Sequence, residues 1–430
     1  DALAQPYTRA LRINLLLCPD GAPPCPIEGL GAPVPWAKGA YFVEGDARPG
    51  LSPLHEGGLF YMQEPSALTA VTALDPQPGE RVLDLCAAPG GKSTQIAALM
   101  AGRGLLICNE PVPSRAQILS RNVERMGVRH AVVLSAMPDA LAPRFPAFFD
   151  RILVDAPCSG EGMFRRQPEA RSEWDADSPR RCADRQMEIL EQAAKMLRPG
   201  GTMVYSTCTF NDTENEGVLK RFLALHPEFA LEPFALPGLP DAQDGYLHLY
   251  PHEKRGEGHF VSRLKKSGEA AEPAVPAKAA SKKKAPARAA SAKGKAPTPI
   301  ALPDVFSDAF TPERLYAAGD ALWMLPEGIS IEQLSGLRVL RTGLLLAHAE
   351  GRRSEPDHAL AMALRPEEAA RTANLTLEQA LAYQAGEALE LGDLPGGYTL
   401  LCCEGVSLGW GKQAGGLMKN HYPKGLRRRG

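Results

Sequence analysis

Between about residues 81 and 264 the chain alternates short apolar segments with amphipathic ones, and this alternation restricts the fold more than any other feature. Apolar runs of strand length stand at 81–85, 105–109, 131–134, 151–155, 202–206 and 259–264. Segments of helical periodicity fill the intervals at 92–100, 114–126, 182–197 and 214–225. A strand that is apolar on both faces must be covered on both. A strand–helix–strand order does this by laying helices on each side of a parallel sheet. The expected class is therefore α/β, with a doubly wound, Rossmann-like sheet in a domain over residues 58–264.

The flanks differ in character. Residues 1–57 are rich in Pro and Gly, with strand candidates at 11–17 and 40–43, and form a small appended α+β unit. Residues 265–299 are mostly Ala, Lys, Pro and Ser without an aromatic residue, so nothing there can repay the entropy of ordering. This is expected to be a disordered basic linker, serving as a solvated tether or as an added grip on phosphate. Residues 300–430 mix helix candidates at 367–371 and 377–382 with apolar strands at 337–340, 344–347 and 398–402, which makes a second globular domain.

With 48 basic and 50 acidic residues the net charge of -2 excludes a uniformly basic nucleic-acid binder. The positive charge is nevertheless gathered, in the linker and again at Lys412, Lys419, Lys424, Arg427, Arg428 and Arg429. No run approaches the roughly 18 apolar residues of a membrane span, and no secretory pattern opens the chain, so a cytoplasmic protein without a membrane partner is expected. The chain begins with Asp1, not Met, so N-terminal sequence is expected to be missing. Nine cysteines occur without a Cys-x-x-Cys pair or a short His/Cys cluster, which argues against structural zinc, any other metal and a disulfide framework. Nothing in the sequence specifies an oligomeric state.

The first strand runs into Asp84-Leu85-Cys86-Ala87-Ala88-Pro89-Gly90-Gly91-Lys92-Ser93-Thr94. Such a turn of small residues leaves backbone N–H groups free to cradle a ligand at the carboxyl end of the sheet. A phosphate-binding P-loop needs Gly where Cys86 stands, and a nicotinamide fingerprint needs three spaced glycines where only Gly90-Gly91 occurs. An adenosine-type cofactor survives this elimination. Glu110, just past the next strand, stands where a carboxylate can accept from both ribose hydroxyls, or is simply a strand-end surface acid.

The fourth strand ends in Asp155-Ala156-Pro157-Cys158-Ser159-Gly160 and the fifth in Tyr205-Ser206-Thr207-Cys208-Thr209. Neighbouring strands of a doubly wound sheet bring these ends together, so two thiols face the cofactor turn. Cytosine carbon-5 is too poor a nucleophile to attack a methyl sulfonium directly. Addition of a thiolate at carbon-6 makes carbon-5 enamine-like and removes that obstacle. A carboxylate such as Asp155 can hydrogen-bond the base near its exocyclic amine and N3, favouring the adduct.

On these residues the chain resembles the Sun (Fmu) family of RNA cytosine-5 methyltransferases. The match covers the motif from Asp84 to Lys92, Asp155 to Gly160, Thr207-Cys208-Thr209 followed by Glu214-Asn215-Glu216, and upstream Gln63-Glu64-Pro65-Ser66. The resemblance implies that Cys208 attacks cytosine, that Cys158 assists product release, and that Asp155 belongs to the catalytic set. It implies S-adenosyl-L-methionine as cofactor, contacted by Cys86, Ala87, Ala88, Pro89, Gly90, Gly91, Lys92, Glu110, Arg115 and Asp155. Because DNA cytosine-5 methyltransferases use only the Pro-Cys cysteine, the Thr-Cys motif points to RNA. The family usually places an acid or amide for adenine near Ser135-Ala136-Met137, where this chain has no acid before Asp139.

The segments Val339-Leu340-Arg341-Thr342-Gly343-Leu344, Leu408-Gly409-Trp410-Gly411-Lys412 and Lys419-Asn420-His421-Tyr422-Pro423-Lys424 resemble the RsmF-like branch, whose tail is a PUA-like RNA-binding domain. That branch implies 16S ribosomal RNA of the small subunit as the partner. Bases interleaved with Trp410, His421 and Tyr422 suit phosphate contact and base stacking, or a basic terminus over core aromatics. The same reaction on transfer RNA or 23S RNA, and a non-catalytic assembly factor, remain alternatives. DNA methylation, which needs only Cys158, is a third.

Overall fold

The computed structural model describes residues 2–269, 300–350 and 353–427. At its centre is a nine-stranded sheet. Strands β1 (Arg81–Asp84), β2 (Leu105–Asn109), β3 (Ala131–Leu134), β4 (Phe149–Asp155) and β5 (Leu197–Thr207) are parallel, in the spatial order β3-β2-β1-β4-β5. Three further strands, β6 (Phe229–Leu231), β7 (Tyr246–Leu249) and β8 (His259–Lys266), extend the β5 edge, with β8 antiparallel to β5 and pairing with both others. The order reverses between β1 and β4, and open α/β sheets bind ligands at such a reversal.

Successive residues of these strands serve opposite cores. Val82, Leu106, Val133 and Leu153 point into one hydrophobic cluster, while Leu83, Ile107, Val132 and Ile152 point into the other. Each such burial contributes roughly 1.5–3 kcal/mol, which is why the runs are apolar throughout and do not alternate with polar residues. Helices α1 (Gly91–Leu99), α2 (Pro113–Arg125), α3 (Ser178–Met196) and α4 (Glu216–Leu225) cover the faces. In α2 the fixed φ of Pro113 suits the first turn, and Ala116, Leu119 and Val123 form the buried stripe.

The N-terminal unit is a four-stranded sheet ordered Leu30–Pro33, Ala40–Val43, Ala10–Ile13, Phe60–Met62. Its last strand lies beyond residue 57, because Phe60 and Leu59 bury against Leu11 and Ile13. The region after residue 300 contains two sheets, not one. Leu315–Ala318, Ala321–Met324, Leu344–Glu350 and Arg353–Pro356 make the first. Thr372–Asn374, Gly397–Cys403, Val406–Ala414 and Leu417–Asn420 make the second. The helix expected at 367–371 is a single turn, Pro366–Glu368, leading into a strand.

One expected C-terminal strand belongs elsewhere. β9 (Val339–Thr342) pairs antiparallel with β3 and closes the far edge of the central sheet. Arg341 is buried and ion-paired with Glu124 of α2, and the Ser135 amide donates to the Arg338 carbonyl at 2.9 Å. Lys265 and Lys266, expected in the linker, complete β8, and residues 270–299 of that linker lie outside the described residues.

Candidate active site

Cys158 and Cys208 follow β4 and β5, and their Sγ atoms stand 3.2 Å apart as free, half-buried thiols. The two loops bond directly, Ser159 Oγ to Thr209 Oγ1 at 2.9 Å and the Phe210 amide to Glu161 Oε2 at 2.8 Å, and the Glu214-Asn215 pair ahead of α4 braces them from behind. The fully buried Glu214 carboxylate accepts from the Ser159 amide at 3.0 Å, Gln186 Nε2 at 2.8 Å and Asn211 Nδ2 at 2.9 Å. Asn215 accepts from Thr207 Oγ1 at 2.6 Å and donates to the Thr209 carbonyl at 3.2 Å. One acid therefore ties the Cys158 loop to α3, and the neighbouring amide fixes the backbone on both sides of Cys208. The hydrogen bond with Cys208, together with burial, pushes the Cys158 thiol well above its ordinary pKa. It remains protonated at neutral pH.

Asp155, at the end of β4, accepts from Lys92 Nζ at 2.8 Å and from Ser206 Oγ at 2.8 Å. Burial pushes its carboxyl up, but the Lys92 charge and these hydrogen bonds outweigh that and hold it below the usual range. For Lys92, burial works against the charge and Asp155 for it, and the net effect is upward. His259 of β8 is buried with Nε2 3.6 Å from Asp155 Oδ1, too far for a hydrogen bond, and burial with the Lys92 charge drives its pKa down to about 3. Asp155 is thus an anion between one cation and one neutral ring. Among the described residues no group of three or more His, Cys, Asp or Glu side chains could hold a metal ion.

The turn from Cys86 to Lys92 wraps the N-terminus of α1. Gly90 has φ +112°, and a Cβ there would press on Leu119 and Asn122 of α2, while one at Gly91 would meet Tyr61 and Gln63. The small residues therefore serve helix packing as well as the turn. Ala87 N–H donates to the Asn109 carbonyl at 2.8 Å, Arg115 Nη2 to the Ala88 carbonyl at 3.2 Å, and Asn122 Nδ2 to the Pro89 carbonyl at 2.9 Å. Cys86 packs against the core, and burial pushes its thiol up. Glu110 is buried, its carboxylate accepting from the Val112 amide at 3.0 Å and pairing with Arg115 Nη1 at 3.3 Å. The Arg115 side chain is 53% exposed.

Residues 71–265 match the family profile described as 16S rRNA methyltransferase RsmB/F. Three RsmF profiles match the remainder: the N-terminal domain over 1–65, the first C-terminal domain over 303–364 and the PUA domain over 370–428. A ribosomal RNA small subunit methyltransferase F from Erwinia tasmaniensis is 34% identical, the alignment covering 99% of this chain and 91% of that protein. The chain belongs to the RsmB/F family of 16S rRNA methyltransferases. The Klebsiella pneumoniae protein of the same name is 35% identical, with 100% and 92% covered. A methyltransferase homologue from Pyrococcus horikoshii shares the fold at a TM-score of 0.52 and 30% identity, over 62% of this chain and 88% of that one.

The cofactor of this family member is S-adenosyl-L-methionine, and the turn has the chemistry to receive it. Asp84, fully buried, accepts from Ser93 Oγ at 2.7 Å through one oxygen and leaves the other, Oδ1, without a partner. An acid, Glu110, closes the next strand, and among the described residues its charged partner is the exposed Arg115. The expected adenine side remains without an acid. Asp139 is exposed on the short helix Pro138–Leu141, and the amide nearest that side is Asn109, whose side chain bonds the Ala136 amide and carbonyl at 3.1 and 3.0 Å.

Several site residues escaped the sequence. The structure pairs Lys92 with Asp155, and it gives Glu214 and Asn215, which the sequence offered as part of the resemblance but without a role, the part of a clamp. His259 carried no signal, since one residue of a strand says nothing about the strand end opposite. The tail of this RsmF relative corrects another expectation. Trp410 and Tyr422 are 2% and 4% exposed, with Trp410 Nε1 donating to the Asp357 carbonyl at 2.8 Å, so both are core aromatics and not stacking platforms. His421 pairs with Glu355 at 3.1 Å. His348 lies between Asp357 and Asp320 at 3.2 and 3.7 Å.

Proposed function

We propose that this cytoplasmic enzyme methylates carbon-5 of a cytosine in 16S ribosomal RNA, with Cys208 as nucleophile and Cys158 assisting release. The observation that carries this reading is the 3.2 Å meeting of two free thiols beside a charged Asp155 at the mouth of the cofactor turn. When bound, S-adenosyl-L-methionine supplies a methyl group on a positively charged sulfur. Cys208 as thiolate adds to carbon-6 and leaves carbon-5 electron-rich enough to take the methyl. Asp155, ionised and oriented by Lys92 and Ser206, accepts hydrogen bonds from the cytosine edge as the adduct forms. Water takes the proton from carbon-5 as the carbon-6 to sulfur bond breaks, and the protonated Cys158 gives its own proton to the departing Cys208 sulfur. Around the methyl donor, residues 86–92, Glu110, Arg115 and Asp155 form the contacts.

The N-terminal unit and the PUA domain then act as RNA-holding parts, with exposed Lys419 and Lys424 available to phosphate. Small subunits and protein-free 16S RNA prepared with cytosine tritiated at carbon-5 test the chemistry. Each methyl incorporated should release one tritium, and methylation without release would exclude carbon-5. Transfer RNA offered in parallel tests the substrate, since faster turnover there would overturn the assignment to 16S RNA.

A further inference from the structure

Arg165 and Glu257 form an ion pair whose side chains are only 6% and 1% exposed. The guanidinium meets the carboxylate fork to fork, Nε to Oε2 at 2.7 Å and Nη2 to Oε1 at 2.8 Å, and Nη2 also donates to the Gly256 carbonyl at 2.7 Å. Removing two full charges from water is expensive, and apolar side chains of like volume would hold a loop at less cost. What a bidentate pair adds is register, because two parallel bonds fix both the plane and the position of the guanidinium.

The position so fixed is the end of the loop that begins at Cys158. Midway along it the Gly162 amide donates to the carbonyl of Cys208 itself at 2.8 Å. A Cβ at Gly162 would come within 2.9 Å of that carbonyl and 3.1 Å of the Glu257 and Gly258 carbonyls. The loop is therefore threaded between the nucleophile's backbone and the turn at 256–258, and Arg165 bolts its far end to that turn. The turn is anchored in its own right. Glu64 accepts the Glu257 amide at 2.8 Å, and Ser66 Oγ accepts the Gly258 amide at 3.2 Å. The N-terminal segment joins as well, the Thr8 amide donating to Glu257 Oε1 at 2.8 Å.

We propose that Arg165 and Glu257 are positioning residues for methyl transfer, holding the Cys158 loop in the register at which its sulfur meets Cys208. This rests on the release role assigned to Cys158 above. Loss of the pair leaves the cofactor turn and the Glu214 tie to Ser159 intact but loosens the far end of the Cys158 loop, so the Cys158–Cys208 register should slacken and product release should slow, as predicted for removal of Cys158 itself.

The test compares full-length R165M and E257Q with C158A and the unaltered protein, using small subunits from cells lacking this protein and added S-adenosyl-L-methionine. Both variants should bind S-adenosyl-L-methionine with unchanged Kd and lower kcat about tenfold or more, with KM little altered. They should also accumulate a denaturation-resistant protein–RNA band above the unaltered level. If R165M does not fold, E257Q carries the test, since it keeps the shape of the side chain and removes one charge. A band from C158A but none from the folded variants would overturn the positioning role alone. Loss of cofactor binding in step with melting temperature would reduce the pair to a structural one. No band from C158A would remove the covalent reading, and this role with it.

Discussion

Asp84 and Asp155 end adjacent strands and titrate in opposite directions. Asp155 has Lys92 beside it and stays ionised. Asp84 has only the Ser93 hydroxyl against complete burial, and its pKa rises from 3.8 to about 7. In the unfolded chain this carboxyl ionises near pH 4, so the folded state holds the proton more tightly. The stability it contributes is full below about pH 4 and is lost as pH rises through about 7. Asp84→Asn removes that dependence. Relative to the unaltered protein, the variant should gain on the order of 2–4 kcal/mol between pH 4 and pH 8, read from urea unfolding at both ends. A difference that does not move with pH would contradict the uncompensated burial of Asp84.

At the scale of elements, the parallel core was legible because each of its strands is apolar on both faces, a pattern that few other environments demand. Where the chain was misread, the causes are physical. β5 begins at Leu197, five residues ahead of its expected start, because Pro199-Gly200-Gly201 reads as a turn and here forms an irregular strand beside the bulge in β4. The helix Leu68–Leu74 is buried on nearly every side and so has no polar face to give it a period. β9 pairs with a strand about two hundred residues earlier, and no local signal encodes such a partner. The cysteines were legible because strand ends converge in this topology. The bond from Glu214 to Gln186 and the Arg165–Glu257 pair join side chains far apart in the sequence and were not. β9 also covers an edge that would otherwise be open to pairing with other chains. Val339→Pro or Thr342→Pro, which interrupts the pairing with β3 and keeps the rest of the C-terminal region in place, should therefore give larger species by light scattering than the unaltered chain. Remaining at its formula mass with an unchanged melting temperature would show that β9 does not protect the edge.

Across the whole molecule, the outer parts are not detachable. Leu11, Ile13 and Phe60 of the N-terminal sheet share a hydrophobic cluster with Leu401 and Leu408 of the last C-terminal sheet and Tyr383 of the helix Leu377–Ala385, and Gln384 Nε2 donates to the Pro53 carbonyl at 3.2 Å. Arg129, just ahead of β3, binds Glu368 and the Ala363 carbonyl. Point changes are thus a cleaner probe of RNA binding than deletions. With Trp410 and Tyr422 in the core, the PUA domain is left with charge, so its contribution should be electrostatic and independent of RNA sequence. Replacing exposed Lys419 and Lys424 by Ala should weaken binding to all RNAs alike and lower the slope of log K against log salt by about 1–2. An unchanged slope would remove both lysines from the interface.

In the proposed reaction two sulfur atoms have separate duties, and trapping the covalent intermediate between them distinguishes those duties. Cys158→Ala, incubated with S-adenosyl-L-methionine and small subunits lacking the modification, should yield a protein–RNA band that survives denaturation. Cys208→Ala and the double variant should yield neither band nor methylated RNA while still binding the cofactor. A band that persists in the double variant, or turnover that survives Cys208→Ala, would contradict the assignment of Cys208 as nucleophile.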